Sequence, residues 1–399
     1  MIEWEKVSLG EVAKVQTGPF GSQLKNEQYV TGGTPVITVE HIDDFKIKDF
    51  DYPSVTNEDR DRLSKYLLKE GDIVFTRVGS VELSAYVSKN QDGWMFSSRM
   101  LSVRPIKKVD SKYLSYFFRQ PSFRKYIFKI SVGATMPSIN TSILKSIPIS
   151  YPPLPEQKAI ANVLTAFDDK IELLQQQNQT LESLAQTIFK EWFGKYQIGD
   201  DLPEGWRVGK IEDLTIRMSS GGTPSTKRSD FYGDEIFWFS TKELQDNFLL
   251  GCDKKISQLG LDNSSAKLFP KHTVLMAIYA APTVGRLGIL TKEASFNQAA
   301  VGLVADELFG FEFVYLLLKS LRVELNNLSN GAAQQNLNVG LVKNYKISIP
   351  PKVLLKQFRS VITPLFNKME INTQQIQSLT KTRDTLLPKL MSGQVRVKM

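Results

Sequence analysis

A heptad repeat between residues 156 and 193 constrains the fold of this chain more than any other feature. Apolar side chains recur there in alternating steps of four and three residues, and Asn178 interrupts the alternation. This spacing predicts an α-helix with a narrow apolar stripe, which a second helix must cover. The stripe consists of Ile160, Leu164, Phe167, Ile171, Leu174, Leu181, Ala185, Ile188 and Trp192.

The chain itself supplies a matching helix. Phe358 corresponds to Ile160 with an offset of 198 residues, and the same offset relates Gly331 to Gly133 and the proline pair 350–351 to the pair 152–153. An internal repeat of this length predicts two copies of one structural plan. The second heptad run consists of Phe358, Ile362, Leu365, Met369, Asn372, Ile376, Leu379, Arg383, Leu386 and Leu390.

The polar positions of the two runs indicate how the helices pair. Antiparallel pairing about the centre of the seam places Asn178 opposite Asn372, whereas parallel pairing in register places each amide opposite an aliphatic side chain. A buried amide is satisfied by another amide and then fixes the register. We therefore predict antiparallel helices with Asn178 and Asn372 in side-chain contact. Arg383 is expected opposite Phe167, and Pro364 and Pro388 predict a break or kink in the second helix.

Between the helices, short β-branched runs and glycine-rich turns predict mixed domains. The predicted fold class is α+β, with two pseudo-repeated mixed α/β domains at opposite ends of a two-helix antiparallel coiled coil. The predicted boundaries are 1–151 and 199–349 for the mixed domains, and 152–198 and 350–399 for the helical regions. The loops differ between the copies. This difference is expected if two domains on one scaffold recognise different sequences, although drift after duplication predicts the same.

The charge of the chain favours a polyanionic partner. Fifty Lys and Arg residues against 42 Asp and Glu residues give a net charge of +8. The segment 104–129 interleaves cations with aromatic rings, a pattern that suits nucleic-acid binding. The alternative is a pair of amphipathic helices whose rings form core and whose cations are solvated.

Other classes of protein find little support in the sequence. There is no apolar run near the ~18 residues of a membrane span and no secretory signal pattern, and the single cysteine, Cys252, excludes an internal disulfide. We therefore expect a cytoplasmic protein. His41, His272 and Cys252 show no metal-site spacing. The motifs of nucleotide-binding loops, zinc proteases and serine hydrolases do not occur, so the chain is expected to bind rather than catalyse.

Several short motifs together resemble one family. They are PPLPEQ at 152–157, LLPKLMSGQV at 386–395, GPFGS at 18–22, GGTP at 221–224 and NQAAV at 297–301. With the duplicated layout, they resemble the specificity subunit of type I restriction-modification enzymes over essentially the whole chain. The second helix departs from the pattern, because residues 350–357 lack the LPEQ form.

The resemblance implies a non-catalytic subunit with two target-recognition domains, each reading one half of a bipartite, asymmetric site in double-stranded DNA. It implies that the helices set the spacer and dock two methyltransferase subunits, with restriction and translocase subunits as further partners. No cofactor is then expected in this chain, since S-adenosylmethionine, ATP and Mg²⁺ would belong to the partners.

Polar loop residues are the candidate DNA contacts, because Arg reads guanine and Asn or Gln reads adenine in the major groove. For the glycine-rich segments the alternative is a set of tight turns. For the whole chain the alternatives are a two-domain coiled-coil scaffold with incidental charge, or a nuclease or methyltransferase with an unrecognised site. The candidates are Ser22, Lys25, Arg77, Ser80, Arg99, Thr135 and Ser138 in the first domain, and Thr223, Lys227, Arg228, Tyr279, Arg286, Gln334, Gln335 and Asn336 in the second.

Overall fold

The computed structural model describes residues 4–43, 45–196, 198–279, 282–330 and 337–397. Within them the chain forms two compact units. The first takes the described residues of Met1–Asp169 and Thr380–Met399, and the second takes those of Lys170–Leu379. Each unit therefore combines one mixed domain with a part of both long helices.

The first unit begins with short strands and ends at a long helix. Its strands are β1 (Glu5–Ser8), β2 (Ala13–Thr17), β3 (Tyr29–Val30), β4 (Thr34–Ile37), β5 (Ile42–Asp43), β6 (Lys46–Ile47), β7 (Ser54–Val55), β8 (Ile73–Thr76), β9 (Ser84–Tyr86), β10 (Met95–Phe96), β11 (Met100–Pro105) and β12 (Pro148–Tyr151). Its helices are α1 (Leu9–Val12), α2 (Asn57–Arg62), α3 (Ser111–Arg119), α4 (Pro121–Ile130), α5 (Thr141–Lys145) and the start of α6 (Leu154–Phe193).

One four-stranded sheet, in the order β2-β11-β8-β9, organises the first unit. Side chains alternate across a strand, and both faces of this sheet are covered. Ile73 and Phe75 of β8 pack in the core that includes α3 and α4, while Val74 packs in a second core with Val36 and Ile37 of β4. Burial on both faces explains why β8 is an unbroken apolar run in the sequence.

The second unit repeats this plan. Its strands are β13 (Arg207–Lys210), β14 (Thr215–Ser220), β15 (Tyr232–Phe239), β16 (Asn247–Leu249), β17 (Lys254–Ile256), β18 (Val274–Ala277), β19 (Leu287–Leu290), β20 (Ser295–Phe296), β21 (Ala300–Ala305) and β22 (Lys346–Ile349). Its helices are α7 (Gln258–Asp262), α8 (Gly310–Ser320), α9 (Arg322–Asn330), α10 (Val339–Asn344) and most of α11 (Lys352–Met391).

The central sheets of the two units share one strand order, and the second sheet has an additional edge strand, β16. The second central sheet has the order β14-β21-β18-β19-β16, so β14, β21 and β18 occupy the places of β2, β11 and β8. Val274 and Met276 face one core and Leu275 and Ala277 the other, as on β8. The antiparallel pair β13–β22 repeats the pair β1–β12, which joins the start of each mixed domain to the strand before its long helix.

The long helices run antiparallel, as the heptad pattern predicts. In the first unit, Ile160 and Leu164 near the start of α6 share a core with Leu387 and Leu390 near the end of α11. In the second unit, the end of α6 packs with the start of α11 in one core that contains Ala185, Phe189, Phe358 and Ile362. The α+β fold with a two-helix antiparallel coiled coil is thus confirmed.

One detail of the helices differs from the prediction. No break occurs at Pro364 or Pro388, since α11 is one continuous helix from Lys352 to Met391. An internal proline loses one backbone hydrogen bond, but the flanking Ile362 and Phe366 are almost fully buried, so packing holds the helix together. Arg383, predicted opposite Phe167, forms an ion pair with the adjacent Asp168 at 2.6 Å.

Candidate nucleic-acid interface

One edge of the first central sheet carries the predicted contact residues of the first domain. Because β2 and β8 both run antiparallel to β11, their carboxyl ends meet the amino end of β11 at this edge. The Arg77 amide donates to the Arg99 carbonyl oxygen at 2.8 Å, and the Ile139 amide donates to the Arg77 carbonyl oxygen at 2.9 Å. We call residues 18–25, 77–83, 97–99 and 131–140 the first loop edge.

Gly18 allows two loops of this edge to touch. A Cβ at this position would lie 2.1 Å from the carbonyl oxygen of Ser97, far inside van der Waals contact. Gly221 stands at the same place after β14, and its Cβ would lie 2.1 Å from the carbonyl oxygen of Phe296. The first glycine of the GPFGS motif and the first glycine of the GGTP motif therefore serve a close backbone approach in both units.

The predicted residues of the first domain all lie on the first loop edge. Ser22, Lys25, Ser80, Arg99 and Thr135 are exposed, and Arg77 and Ser138 are half-buried. Backbone bonds bring Arg77, Ser80, Arg99 and Ser138 together, since the Gly79 amide also donates to the Pro137 carbonyl oxygen at 2.8 Å. Ser22 and Lys25 lie on the loop after β2, whose contacts lead instead toward Tyr66, which donates to Gln23 Oε1 at 2.6 Å.

The second unit builds the corresponding edge from different residues. The Ile278 amide donates to the Ala299 carbonyl oxygen at 2.8 Å, which repeats the bond between Arg77 and Arg99. We call residues 221–228, 278–279, 282–286 and 297–299 the second loop edge. Thr223 donates to Gln298 Oε1, Lys227 is exposed, and Tyr279 and Arg286 are half-buried.

Arg228 differs from the other candidate cations. Its Nε and Nη2 donate to the two carboxylate oxygens of Asp230 at 2.8 and 2.6 Å, and its guanidinium lies 4.6 Å from the Phe231 ring centroid. This pairing raises the pKa of Arg228 and lowers that of Asp230. The two guanidinium N–H groups that would contact a base therefore already donate to Asp230.

Several residues fall outside the prediction or outside the described chain. Gln334, Gln335 and Asn336 lie outside the described residues. Gln298 is an exposed amide on the second loop edge. It is not among the predicted contact residues, although it belongs to the NQAAV motif. Its position in the loop just before the buried strand β21 could have indicated a contact residue.

The loop edges offer cations whose charge is not neutralised locally. Among the described carboxylates, none forms an ion pair with Arg77, Arg99, Lys227 or Arg286. In the basic and aromatic segment the opposite holds for Arg104 and Arg119. Arg104 pairs with Asp72 at 2.6 Å, and Arg119 pairs with Asp168 at 2.8 Å. Most rings of that segment belong to the core, as the amphipathic-helix alternative predicts; these are Tyr113, Tyr116, Phe118 and Phe123.

Each copy of the internal repeat matches the model of a known protein family. The family model described as type I restriction modification DNA specificity domain matches the chain twice, at residues 1–183 and 203–381. The chain belongs to this family. It is therefore a DNA sequence-specificity subunit, and the two matches correspond to the two copies of the internal repeat.

Similar proteins span the whole chain. The MjaIX specificity subunit of Methanocaldococcus jannaschii is 27% identical over 417 residues, which cover 99% of this chain and 94% of that protein. The HindI specificity subunit of Haemophilus influenzae is 24% identical over 472 residues, which cover 99% of this chain and 100% of that protein. The crystal structure of the S subunit from M. genitalium has a similar fold, with a TM-score of 0.64 at 16% identity over 100% of this chain and 97% of that one.

In this specificity subunit, polar contacts fix each mixed domain on the helices. Asp168 of α6 accepts hydrogen bonds from Tyr116 Oη at 2.7 Å and Arg119 Nη1 at 2.8 Å, both on α3, and from Arg383 Nη1 of α11 at 2.6 Å. Burial and the charge of Asp168 raise the pKa of Tyr116. The recognition domain of the first unit is thereby tied to both helices through one carboxylate.

The second unit uses a different carboxylate for the same purpose. Glu182 of α6 accepts from Tyr315 Oη of α8 at 2.7 Å and pairs with Lys319. Next to it, Arg322 donates to both oxygens of Asp246 at 2.9 and 2.5 Å. Burial alone would raise the pKa of Asp246, but the bonds from Arg322 and from the Leu287 amide hold it below its usual value.

The PPLPEQ motif also has a structural explanation. The Gln157 side chain is fully buried, accepts from the Asp110 amide at 2.8 Å and donates to the Pro152 carbonyl oxygen at 2.8 Å. Its neighbour Glu156 pairs with Arg396. At the offset of 198 residues the counterpart of Gln157 is Leu355, which is also fully buried, so in the second copy apolar packing replaces the hydrogen bonds of the amide.

Two kinds of site are absent from the described residues. No group of three or more His, Cys, Asp or Glu side chains there is arranged to hold a metal ion. None of the helices in the described part of the chain combines the length and apolar character of a membrane span.

Proposed function

We propose that each loop edge reads one half of a bipartite, asymmetric DNA site, with the long helices setting the spacer between the halves. The observation that carries this proposal is the repetition of one edge with different side chains. Arg77 and Arg99 occupy the first edge, while Tyr279, Arg286 and Gln298 occupy the second. Unpaired cations suit phosphates and guanine, and exposed amides suit adenine.

The helices fit the role of a spacer because their register is fixed. The buried Asn372 of α11 donates to the half-buried Asn178 of α6, and amide pairs of this kind specify one register over others. Asp168 and Glu182 then fix the neighbouring recognition domains on α6. A base-reading surface on such a support keeps a defined position along its own stretch of helix.

The proposed complex supplies the chemistry that this chain is not expected to carry. We propose two methyltransferase subunits as partners that dock on the helices and mixed domains, with restriction and translocase subunits joining them. S-adenosylmethionine, ATP and Mg²⁺ would be bound by those partners. The exposed outer faces of α6 and α11 are available for docking, since Leu173, Leu184, Val353 and Ile371 leave apolar surface in water.

Methylome sequencing of the host with and without the gene tests the proposal. The expected result is one bipartite methylated motif that disappears with the gene. Arg99→Ala and Arg286→Ala variants are then compared in the complete complex. Each is expected to relax one half of the motif and leave the other intact, with a loss of about 1–3 kcal/mol in discrimination at the affected base. Equal loss of affinity for unrelated DNA would instead identify phosphate contacts, and an unchanged methylome without the gene would contradict the proposed function.

A further inference from the structure

Phe20, in the GPFGS motif, is an exposed aromatic ring on a tightly held turn. The ring residue is 51% exposed, although full burial of a Phe side chain is worth about 1.5–3 kcal/mol. The Gln23 and Leu24 amides donate to the Phe20 carbonyl oxygen at 2.7 and 3.1 Å. The turn is thus well ordered by its own bonds while it keeps the ring in water.

Contacts from the body of the domain hold this turn in place. Tyr66 donates to Gln23 Oε1 at 2.6 Å, and Arg62 Nη2 donates to the Gln23 carbonyl oxygen at 3.0 Å. The Leu24 side chain is buried in the core beside them. These contacts fix the backbone of the turn, so the exposed ring is held at a defined place on the surface.

The position of Phe20 beside exposed cations points to duplex DNA as its partner. It lies two residues, or at most about 7 Å of chain, beyond Gly18, which packs directly on the carbonyl oxygen of Ser97 beside the exposed Arg99. An apolar ring next to unpaired cations is complementary to duplex DNA, in which phosphates flank a stack of apolar base faces. Proteins that deform DNA insert apolar side chains, Phe among them, between base pairs.

Residues 221–228 of the second loop edge, which correspond to the loop that carries Phe20, contain no aromatic ring. This segment exposes Ser225, Thr226 and Lys227 and buries Pro224. Among the exposed large apolar side chains of the described second unit, none lies between residues 221 and 228. The two edges therefore differ in kind, and not only in which polar groups they present.

We propose that Phe20 inserts into a base step of the half-site bound by the first unit and unstacks it. The first half-site is then read partly through the deformability of that step, and flexible pyrimidine–purine steps are favoured there. The second half-site is read through polar contacts alone. This inference rests on the proposed function and adds a mode of recognition to it.

Fluorescence of 2-aminopurine tests the insertion. The probe is placed at successive positions of both half-sites in the methylome-derived duplex, and the full complex is added. Wild-type protein and Phe20→Leu are expected to raise the fluorescence several-fold at one step of the first half-site. Phe20→Ala is expected to abolish that rise and to weaken cognate binding about tenfold, while affinity for unrelated duplex changes less than about twofold.

Ile106→Ala is the matched control. Ile106 is 44% exposed and follows β11 at the opposite edge of the same sheet, so its removal should leave the signal unchanged. A rise that persists in Phe20→Ala, an equal loss of cognate and unrelated binding, or a defect confined to assembly with the methyltransferase overturns the insertion alone. Failure of the wild-type complex to bind the duplex overturns the proposed function as well.

Discussion

Asn372 donates from Nδ2 to Oδ1 of Asn178 at 2.9 Å, across the interface between α11 and α6. Asn372 is fully buried, and Asn178 Nδ2 lies 3.2 Å from Thr373 Oγ1, to which it donates. The Asn372 Oδ1 atom has no hydrogen-bond partner among the described groups. The pair therefore leaves part of its polar capacity unsatisfied, which suits a role in specifying register more than a role in stability.

Replacing one member of this pair should be more harmful than replacing both. Asn372→Leu leaves the Asn178 amide facing an aliphatic group, and we expect a loss of about 1–3 kcal/mol in the free energy of unfolding. The double variant Asn178→Leu/Asn372→Leu should recover most of this loss. Urea unfolding of the four proteins gives the coupling energy, and Gln175→Leu, at an exposed position of α6, is the control. Additive losses would show that the two amides act independently.

The amide pair was predictable because the heptad spacing and the repeat offset are properties of the sequence alone. Other helix contacts were not. Phe189 and Phe193 are more deeply buried than the predicted seam residues Ile188 and Trp192. Phe313 of the recognition domain packs against both rings, in addition to Phe358 of α11. A heptad pattern considers only the partner helix and contains no information about a third element.

The same limit applies to the candidate interface. Glycine and proline residues in the sequence indicate where the loops of the interface lie. The order of the strands in the sheet decides which of these loops are in contact. The bond between Arg77 and Arg99 depends on β8 and β11 being neighbours. Likewise, Arg228 was a candidate contact because Arg side chains can read guanine. Its pairing with Asp230 depends on the local geometry of the loop.

Asp168 should be a strong determinant of stability in the first unit. Its side chain is 21% exposed, and the two arginines paired with it, Arg119 and Arg383, are 13% and 10% exposed. Asp168→Asn removes the charge that both guanidinium groups face, and we expect a loss of about 2–4 kcal/mol in the free energy of unfolding. Glu191→Gln, which breaks the exposed pair with Lys195, should cost less than about 0.5 kcal/mol. Similar losses in the two variants would contradict a special role for Asp168.

Alanine at the two close-approach glycines should damage one half-site each. Gly18→Ala or Gly221→Ala places a methyl group 2.1 Å from a backbone carbonyl oxygen, so the adjoining loops must move apart. We expect each to destabilise the fold by about 1–3 kcal/mol and to weaken recognition of the half-site bound by its own unit. Gly21→Ala is the control, since its Cβ meets nothing within 4 Å. Methylation assays on duplexes altered in one half-site measure the effect, and a uniform loss over both halves would contradict it.

The alkaline stability of the protein should depend on Tyr116 and Tyr315. Burial, followed by the neighbouring carboxylates Asp168 and Glu182, raises the pKa of both phenols above the usual value near 10. A raised folded-state pKa stabilises the protein fully below the unfolded-state pKa, and this contribution is lost as the pH rises through the folded-state pKa.

The double variant Tyr116→Phe/Tyr315→Phe tests this dependence. At pH 7 it loses the hydrogen bonds of the two phenols, including those to Asp168 and Glu182, and we expect a decrease of about 1–3 kcal/mol in the free energy of unfolding. Above pH ~10 its stability should fall less steeply than that of the wild type, by up to about 1.4 kcal/mol per pH for each tyrosine removed. Urea unfolding at intervals from pH 7 to pH ~11 measures both effects. Tyr126→Phe, at a position 39% exposed, should follow the wild-type curve, and parallel curves for all three proteins would show that the buried phenols do not govern alkaline unfolding.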